Sequence, residues 1–276
     1  MNNTDKLYML APSSFCQMMG YVYKYNDTLI VIDGGTKEDY LSLLKIVKGC
    51  GSFIDLLVVT HCHHDHIGAL IELIANPEIT IKKIIYDFPS LETIKSILKT
   101  DWEYQTVIDF LKIVKERKIP TFIPELNKTY LLNEFSYIFY KLGDIHNNDI
   151  NDSSLIFKLI SPSKSILFLG DISPAFSGDF AKKYSNSKEL ECDFVQLAHH
   201  GQSGGSFSLY QLTKAKYGLW NAPKWLFDND LGNGYDTGPF TSSTTKEWLS
   251  GLNIKSITAF NKTILINQNN IFLEQV

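Results

Sequence analysis

The sequence predicts an α/β fold, and three features support this class. Strand-sized apolar runs alternate with segments of helical spacing, as in a layered α/β domain. The chain has 276 residues, of which 44% are hydrophobic and 20% charged, so it can bury a substantial core. No internal repeat or low-complexity linker divides it. We therefore expect a single domain over residues 1–276, with a helical insertion around residues 90–118.

The first half of the chain begins with a predicted β-hairpin. Residues 21–25 and 28–32 are β-branched, aromatic or apolar runs on either side of Asn26-Asp27, and the second run ends at Asp33-Gly34-Gly35. Residues 37–47 have helical spacing and are followed by Gly49 and Gly51. The other elements predicted here are a buried strand over 54–60, a helix over 68–75 and a strand over 81–86.

Residues 90–118 are the longest helical stretch and predict two helices. Their apolar positions form a stripe, so the segment is either a cap near a functional site or a helix pair packed on the sheet. Beyond Pro120 the sequence predicts strands over 121–123, 135–142, 155–160, 166–169, 194–197, 257–260 and 263–266, with helices over 180–184 and 209–214.

Composition and charge narrow the possible partners. The net charge is −4, from 26 basic and 30 acidic residues, and the chain has one arginine, Arg117. This pattern disfavours nucleic acid binding and leaves lysines, backbone amides or metal to bind an anionic substrate. No apolar run has the length of a membrane span, and the polar start does not resemble a secretory signal, so we expect a cytoplasmic protein without a membrane partner.

The seven histidines occupy three short stretches. His61, His63, Asp65 and His66 form the pattern H-x-H-x-D-H directly after an apolar strand, His146 stands alone, and His199-His200 form the third stretch. Imidazole and carboxylate groups suit zinc and related ions, so the pattern favours a metal site over a structural cluster. Cys62 occupies a variable position of the motif, and we interpret it as a filler rather than a ligand.

Two further groups follow predicted strands. Asp171 comes after Gly170 at the end of one strand, and His199-His200-Gly201 comes at the end of another. Strand ends position side chains rigidly. Alone, Asp171 would be interpreted as a helix cap; beside the histidine motif, it is better interpreted as a metal-bridging carboxylate.

Through these residues the chain resembles the metallo-β-lactamase superfamily. Residues 151–155, Asn-Asp-Ser-Ser-Leu, together with Gly170-Asp171 and His199-His200-Gly201, are more narrowly similar to the hydrolase domain of the competence protein ComEC and to phosphorylcholine esterases. The resemblance implies a four-layered αβ/βα sandwich of the metallo-β-lactamase type. It also implies two divalent metal ions, zinc in most members, with manganese or iron as alternatives.

The same resemblance implies roles for individual residues. The metal ligands would be His61, His63 and His146 for one ion, Asp65 and His66 for the other, Asp171 as the bridge, and His200 as a further ligand. The catalytic residues would be Asp65, which orients the attacking water, and His199, which contacts substrate or protonates the leaving group. His64 would be structural or would support the ligands.

The resemblance indicates hydrolysis of a phosphodiester by a metal-bound hydroxide. The net charge of −4 and the single arginine favour a small phosphodiester over DNA. A thioester or lactone hydrolase, a ComEC-like DNA nuclease and a metal-binding interaction protein with vestigial activity are the alternatives. Ser203, Ser206 and Tyr235 are candidate contacts for a small-molecule ester substrate. The alternative interpretations are that the glycine-serine segment is a plain turn and that Tyr235 only packs.

Overall fold

The computed structural model describes residues 4–146, 148–267 and 274–275. The strands among them are β1 (Asp5–Met9), β2 (Tyr21–Tyr25), β3 (Thr28–Ile32), β4 (Phe53–Ile54), β5 (Leu56–Val58), β6 (Thr80–Ile81), β7 (Ile84–Ile85), β8 (Thr121–Phe122), β9 (Thr129–Leu132), β10 (Phe135–Lys141), β11 (Ile156–Ile160), β12 (Ser165–Phe168), β13 (Phe194–Gln196), β14 (Tyr217–Trp220), β15 (Lys255–Thr258), β16 (Ile264–Asn267) and β17 (Glu274–Gln275). The α-helices are α1 (Tyr40–Gly49), α2 (His64–Ala75), α3 (Leu91–Ile97), α4 (Asp101–Glu116), α5 (Pro174–Tyr184), α6 (Phe207–Thr213), α7 (Lys224–Phe227) and α8 (Ser242–Gly251). Short 3₁₀ helices cover Lys37–Asp39, Ile150–Ser153 and Ala198–Gly201.

Two large sheets form the centre of the molecule. The first has the strand order β17-β16-β1-β2-β3-β5-β7-β8, and the second has the order β15-β14-β13-β12-β11-β10-β9. In each sheet an antiparallel half continues into a parallel half, which begins at β3 and β5 in the first sheet and at β12 and β13 in the second. Parallel neighbours end at the same edge of a sheet, so residues that follow them lie close together.

The sheets are buried on both faces. Along β3, Ile30 and Ile32 point into the core between the sheets, whereas Leu29 and Val31 point into the core beneath the helices. This alternation explains why the whole strand is apolar. Helices α1, α2 and α4 cover the outer face of the first sheet, and α5, α6 and α8 cover that of the second. The fold is thus the predicted α/β sandwich of four layers.

Aromatic side chains hold the two sheets together. The rings of Tyr21 and Phe168 meet edge to face at a centroid distance of 5.4 Å, and those of Tyr23 and Phe135 meet at 5.0 Å. Such pairs contribute about 0.5–1.5 kcal/mol each beyond the burial of their area. The inter-sheet core therefore fixes how the strand ends of one sheet face those of the other.

The predicted hairpin of β2 and β3 is confirmed, whereas the strand expected over residues 54–60 is interrupted. Asp55 separates β4 from β5 because its carboxylate accepts a hydrogen bond from the backbone N–H of Leu29 at 3.0 Å. Strand β4 then pairs with β6 in a small separate sheet. The structure also contains β1, β9, β14 and α8, for which the sequence pattern predicted no element.

The helical segment after residue 90 packs on the first sheet and also approaches the histidine motif. Helix α4 buries Val107, Phe110 and Val114 and packs against α2. Its first turn carries Trp102 and Glu103 toward the histidine motif, with the Trp102 ring 4.8 Å from that of His64.

The part of the chain that the structure describes contains no helix with the length and apolar character of a membrane span.

Candidate metal centre

The histidine motif, Asp171 and His200 converge where parallel strands end. Residues 59–63 leave β5 and enter α2, which begins at His64 within the motif itself. Asp171 follows β12, and His200 follows β13 in the opposite sheet. The edge-to-edge meeting of the two sheets therefore brings together residues that are more than 100 positions apart in the chain.

Four buried side chains form a compact group. One ligand atom from each of Asp65, His66, Asp171 and His200 lies within 4.8 Å of all the others. The Oδ2 atom of Asp171 is 3.3 Å from His66 Nε2 and 3.2 Å from His200 Nε2, and Asp65 Oδ2 is 3.0 Å from His200 Nε2. These atoms are the donor types that zinc and related divalent ions prefer.

His61 and His63 lie beside this group, with the ring centroids of His61 and His66 3.9 Å apart. The Nε2 atom of His61 is 4.0 Å from Asp171 Oδ2 and 3.1 Å from Nδ1 of His63. Asp171 is thus near both the inner members of the group and His61. Its role as a bridging ligand stays a prediction.

Two buried atoms of this group make no hydrogen bond, and they indicate what the group holds. Asp171 Oδ1 and His66 Nε2 are both buried without a well-formed hydrogen bond, and the contact of His66 Nε2 with Asp171 Oδ2 at 3.3 Å is an ion-pair distance. Buried polar atoms are almost always paired, and leaving one unpaired costs about 1–3 kcal/mol. A divalent cation would satisfy both atoms, so the residues present fit the metal that the donor set implies.

His66 and His200, called the inner histidines here, are each held by a second group through their other ring nitrogen, Nδ1. Asp33 accepts from His66 Nδ1 at 2.9 Å, and the backbone carbonyl of Asn221 accepts from His200 Nδ1 at 3.0 Å. These partners place the proton on Nδ1 of each ring and direct the Nε2 lone pair toward the centre. They fix both the tautomer and the orientation of the rings.

The sequence pattern assigns no ligand-supporting role to Asp33 or Asn221. It marks Asp33 only as the end of a hairpin strand, but β3 and β5 are parallel neighbours, so their ends coincide. The Asp33 carboxylate also accepts from the backbone N–H and the hydroxyl of Thr60, each at 2.7 Å. A buried strand ending in an acidic residue beside the motif was the signal available in the sequence.

The carboxylates of the centre favour positive charge on two of its histidines. Burial alone would lower the pKa of His200, but the carboxylates of Asp171 and Asp65 raise it to about 10. Asp171 and Asp33 likewise raise the pKa of His66 above its usual range despite burial. The pKa of His61 is lowered, first by burial and then by the charge of His66.

The pKa values of the two carboxylates shift in the opposite direction. Burial would raise the pKa of Asp65 and Asp171, but the neighbouring charges of His66 and His200 hold both below their usual range. In the protein alone, protons on His66 and His200 balance these buried negative charges. A metal ion would take over that balance when the imidazoles are deprotonated to bind it.

The corner that carries His200 has an unusual backbone. His199 and His200 adopt φ angles of 51° and 54°, in the left-handed region, and Gly201 continues with φ of 75°. Two successive side chains in this region are costly, and such strain is typical of functional sites. The turn directs His200 inward to the metal-ligand group and leaves His199 half-buried at the cleft.

An open cleft of about 430 Å³ lies over the centre and is called the metal cleft here. Asp65 and Asp171 line it together with His63 and His199. Its other lining residues are Phe15, Cys16, Gln17, His64, Glu103 and Trp225. The ligand group is therefore reachable from solvent, as a site that binds a substrate requires.

His146 lies outside the compact group. Its side chain is exposed, and its ring is 4.7 Å from that of Phe176 on α5. Its assignment as a ligand stays a prediction that these contacts do not support. Cys62 is buried in the apolar core beneath α2, which agrees with a filling role.

The three predicted substrate contacts have other partners in the structure. The Ser206 hydroxyl accepts from the backbone N–H of Leu209 and caps α6. Ser203 contacts Thr241 at 3.4 Å between hydroxyl oxygens. Tyr235 is 65% exposed beside Lys246. None of the three is among the lining residues of the metal cleft.

Comparison with known proteins agrees with the fold. The Metallo-beta-lactamase superfamily profile matches residues 15–211, and the chain belongs to this superfamily. No sequence of a curated protein matches.

Solved structures extend the likeness over almost the whole chain. The metallo-beta-lactamase fold protein YhfI from Bacillus subtilis is 13% identical, with 95% of this chain and 99% of that chain covered and a TM-score of 0.56. Igni18, a metallo hydrolase from Ignicoccus hospitalis, is 14% identical over 95% and 98% of the two chains, with a TM-score of 0.49. A diphosphatase of the PhnP family is 14% identical over 96% and 99%, with a TM-score of 0.48. The likeness to YhfI shows the shared fold.

Proposed function

We propose that this protein is a metal-dependent hydrolase that cleaves a small phosphodiester or a related ester. The proposal includes two divalent ions, preferably zinc. One ion would be bound by Asp65, His66, Asp171 and His200. The other would be bound by His61 and His63, with Asp171 shared between the two ions. The narrower resemblance to ComEC-type hydrolase domains and phosphorylcholine esterases supports phosphorus chemistry. Thioesters and lactones are the alternative substrates.

The observation that carries this proposal is the unpaired Asp171 Oδ1 at an accessible centre. Asp171 lines the metal cleft although it is almost entirely buried, and Oδ1 has no hydrogen-bond partner. Structural zinc sites are closed and generally rich in cysteine. An accessible site of histidine and aspartate leaves room for water and substrate, which favours catalysis over a purely structural role.

The chain's own residues supply positioning and proton transfer. When bound, divalent ions would polarise the ester and acidify water at the site. Asp65 lines the cleft and is fixed by His200, so its carboxylate orients the attacking water. His199 faces the cleft from the opposite strand end, where its imidazole protonates the leaving oxygen.

The cleft's charge favours a small substrate over a polynucleotide. The residues that line the metal cleft include the carboxylate of Glu103 but no lysine or arginine. Nucleic acid affinity depends mainly on neutralising several phosphates with such cations. A substrate with a single phosphoryl group needs only the metal centre to balance its charge.

Metal analysis and a generic phosphodiester assay test the proposal. Protein purified without chelator should contain two ions per chain and hydrolyse bis-p-nitrophenyl phosphate. Asp65→Ala should lose most of this activity without unfolding, whereas Asp179→Ala, an exposed carboxylate on α5, should behave as the wild type. Retention of most activity by metal-replete Asp65→Ala would refute the mechanism. Activity on a thioester or lactone alone would select that alternative.

A binding titration separates the nuclease alternative. We expect weak or absent binding of labelled single-stranded DNA in fluorescence anisotropy. Tight, salt-sensitive binding, together with metal-dependent nicking that Asp171→Ala abolishes, would make the protein a nuclease.

A further inference from the structure

One large apolar side chain next to the metal centre is almost entirely exposed. Phe15 lies in the connection between β1 and β2, and 89% of its surface is exposed. Single exposed apolar residues are common on proteins. Phe15 differs because it lines the metal cleft, within the space where a substrate would lie.

The connection that carries Phe15 is tied down at several points. The indole Nε1 of Trp225 donates to the Phe15 carbonyl at 2.7 Å. The Ser13 N–H donates to Asp39 at 2.6 Å, and Gln17 accepts from Gln202 at 2.9 Å. These bonds come from three different parts of the fold. They hold the connection over the centre while leaving the Phe15 ring free.

Phe15 and Trp225 also line a second cleft of about 380 Å³, called the apolar cleft here. Pro12, Pro223 and Phe260 complete its apolar walls. The charge of Lys224 at this cleft is paired with Asp228, just after the end of α7, so it does not require an anionic ligand. The two clefts share the aromatic wall formed by Phe15 and Trp225.

We propose that Phe15 and Trp225 bind a flat apolar group of the substrate, an aryl or nucleobase ring, beside the metal centre. This inference rests on the proposed hydrolase function and specifies its substrate class. Because the two clefts share this wall, a ring attached to a phosphoryl group in the metal cleft would lie against it and extend into the apolar cleft. Aromatic faces bind such rings by offset or edge-to-face contact and by removing apolar surface from water.

Steady-state kinetics with bis-p-nitrophenyl phosphate give the first test. We expect Phe15→Ala to raise KM about tenfold and leave kcat within about twofold, because the wall binds ground state and transition state alike. Metal content should not change. Phe15→Tyr should restore the wild-type KM, and Phe53→Ala, a matched exposed phenylalanine on β4, should leave it unchanged. An unchanged KM in Phe15→Ala would contradict the inference.

Binding of phosphonates decides the inference even if no turnover is found. We expect the metal-loaded wild type to bind phenylphosphonate about tenfold more tightly than methylphosphonate in calorimetry, and Phe15→Ala to lose this preference. Equal affinities in the wild type, a preference that survives in Phe15→Ala, or binding of neither compound would overturn the aromatic subsite. Absence of hydrolysis with an intact phenyl preference would refute the proposed function and retain the subsite.

Discussion

Replacement of Asp33 by asparagine tests whether the hydrogen bond from His66 to Asp33 affects the affinity of the centre for metal. The carboxylate of Asp33 is fully buried and accepts from His66 Nδ1 at 2.9 Å. Asparagine has nearly the same shape, and it tolerates the left-handed backbone that Asp33 adopts, with φ of 52°. The substitution therefore removes the charge while retaining the local geometry.

The expected loss of metal affinity is substantial because Asp33 orients His66, which is a proposed metal ligand. Loss of such a partner lowers metal affinity about 10–100-fold, equivalent to about 1.4–2.8 kcal/mol. Without the carboxylate, the His66 ring is less basic and its tautomer is no longer fixed. Competition with a chromophoric chelator for zinc measures the change directly.

A matched variant separates metal binding from general stability. Asp55 is another buried aspartate, and its carboxylate accepts from the backbone N–H of Leu29 at 3.0 Å away from the ligand group. We expect Asp55→Asn to lower the unfolding midpoint in urea while leaving zinc affinity within about twofold of the wild type. Zinc affinity of Asp33→Asn within twofold of the wild type, or an equal loss in both variants, would refute the reasoning.

Three further predictions concern stability. The pKa of His200 rises to about 10 on folding from an ordinary 6.5, so the folded state binds more protons between these values. EDTA-treated protein should therefore lose stability in urea as pH rises from 6.5 to 10, with His200 alone contributing up to about 1.4 kcal/mol per pH unit and with a flatter profile in His200→Gln. Lys164→Met should lower the free energy of unfolding by about 3–5 kcal/mol, because the buried carboxylate of Asp5, 2.6 Å from Lys164 Nζ, would lose its cationic partner. Adding Asp5→Leu should recover much of this stability in urea unfolding. Gly201→Ala should lower the melting temperature and weaken zinc binding, because its Cβ would lie 2.2 Å from the Trp220 ring; unchanged values would show that the corner can shift.

The local hydrophobic pattern was enough to predict many of the helices and strands, because the conformation that it favours is also the one that tertiary packing stabilises. The hairpin around Asn26-Asp27 and the two helices after residue 90 formed where periodicity placed them. Pattern was insufficient where one residue interrupts an apolar run, as Asp55 does, or where an element lacks a clear stripe, as in α8. In both cases contacts with distant residues decide the backbone conformation.

The sequence by itself determined the superfamily, the apolar faces of the main strands and the residue types of a metal centre. It could do so because ligand chemistry restricts which residues occur together and at what spacing. Only the tertiary structure decided that Asp33 and Asn221 orient the inner histidines, that His146 lies outside the compact group and that Phe15 stands beside the cleft. These relations join strand ends and loops that are far apart in the chain, and their distances follow from sheet order and packing rather than from local spacing.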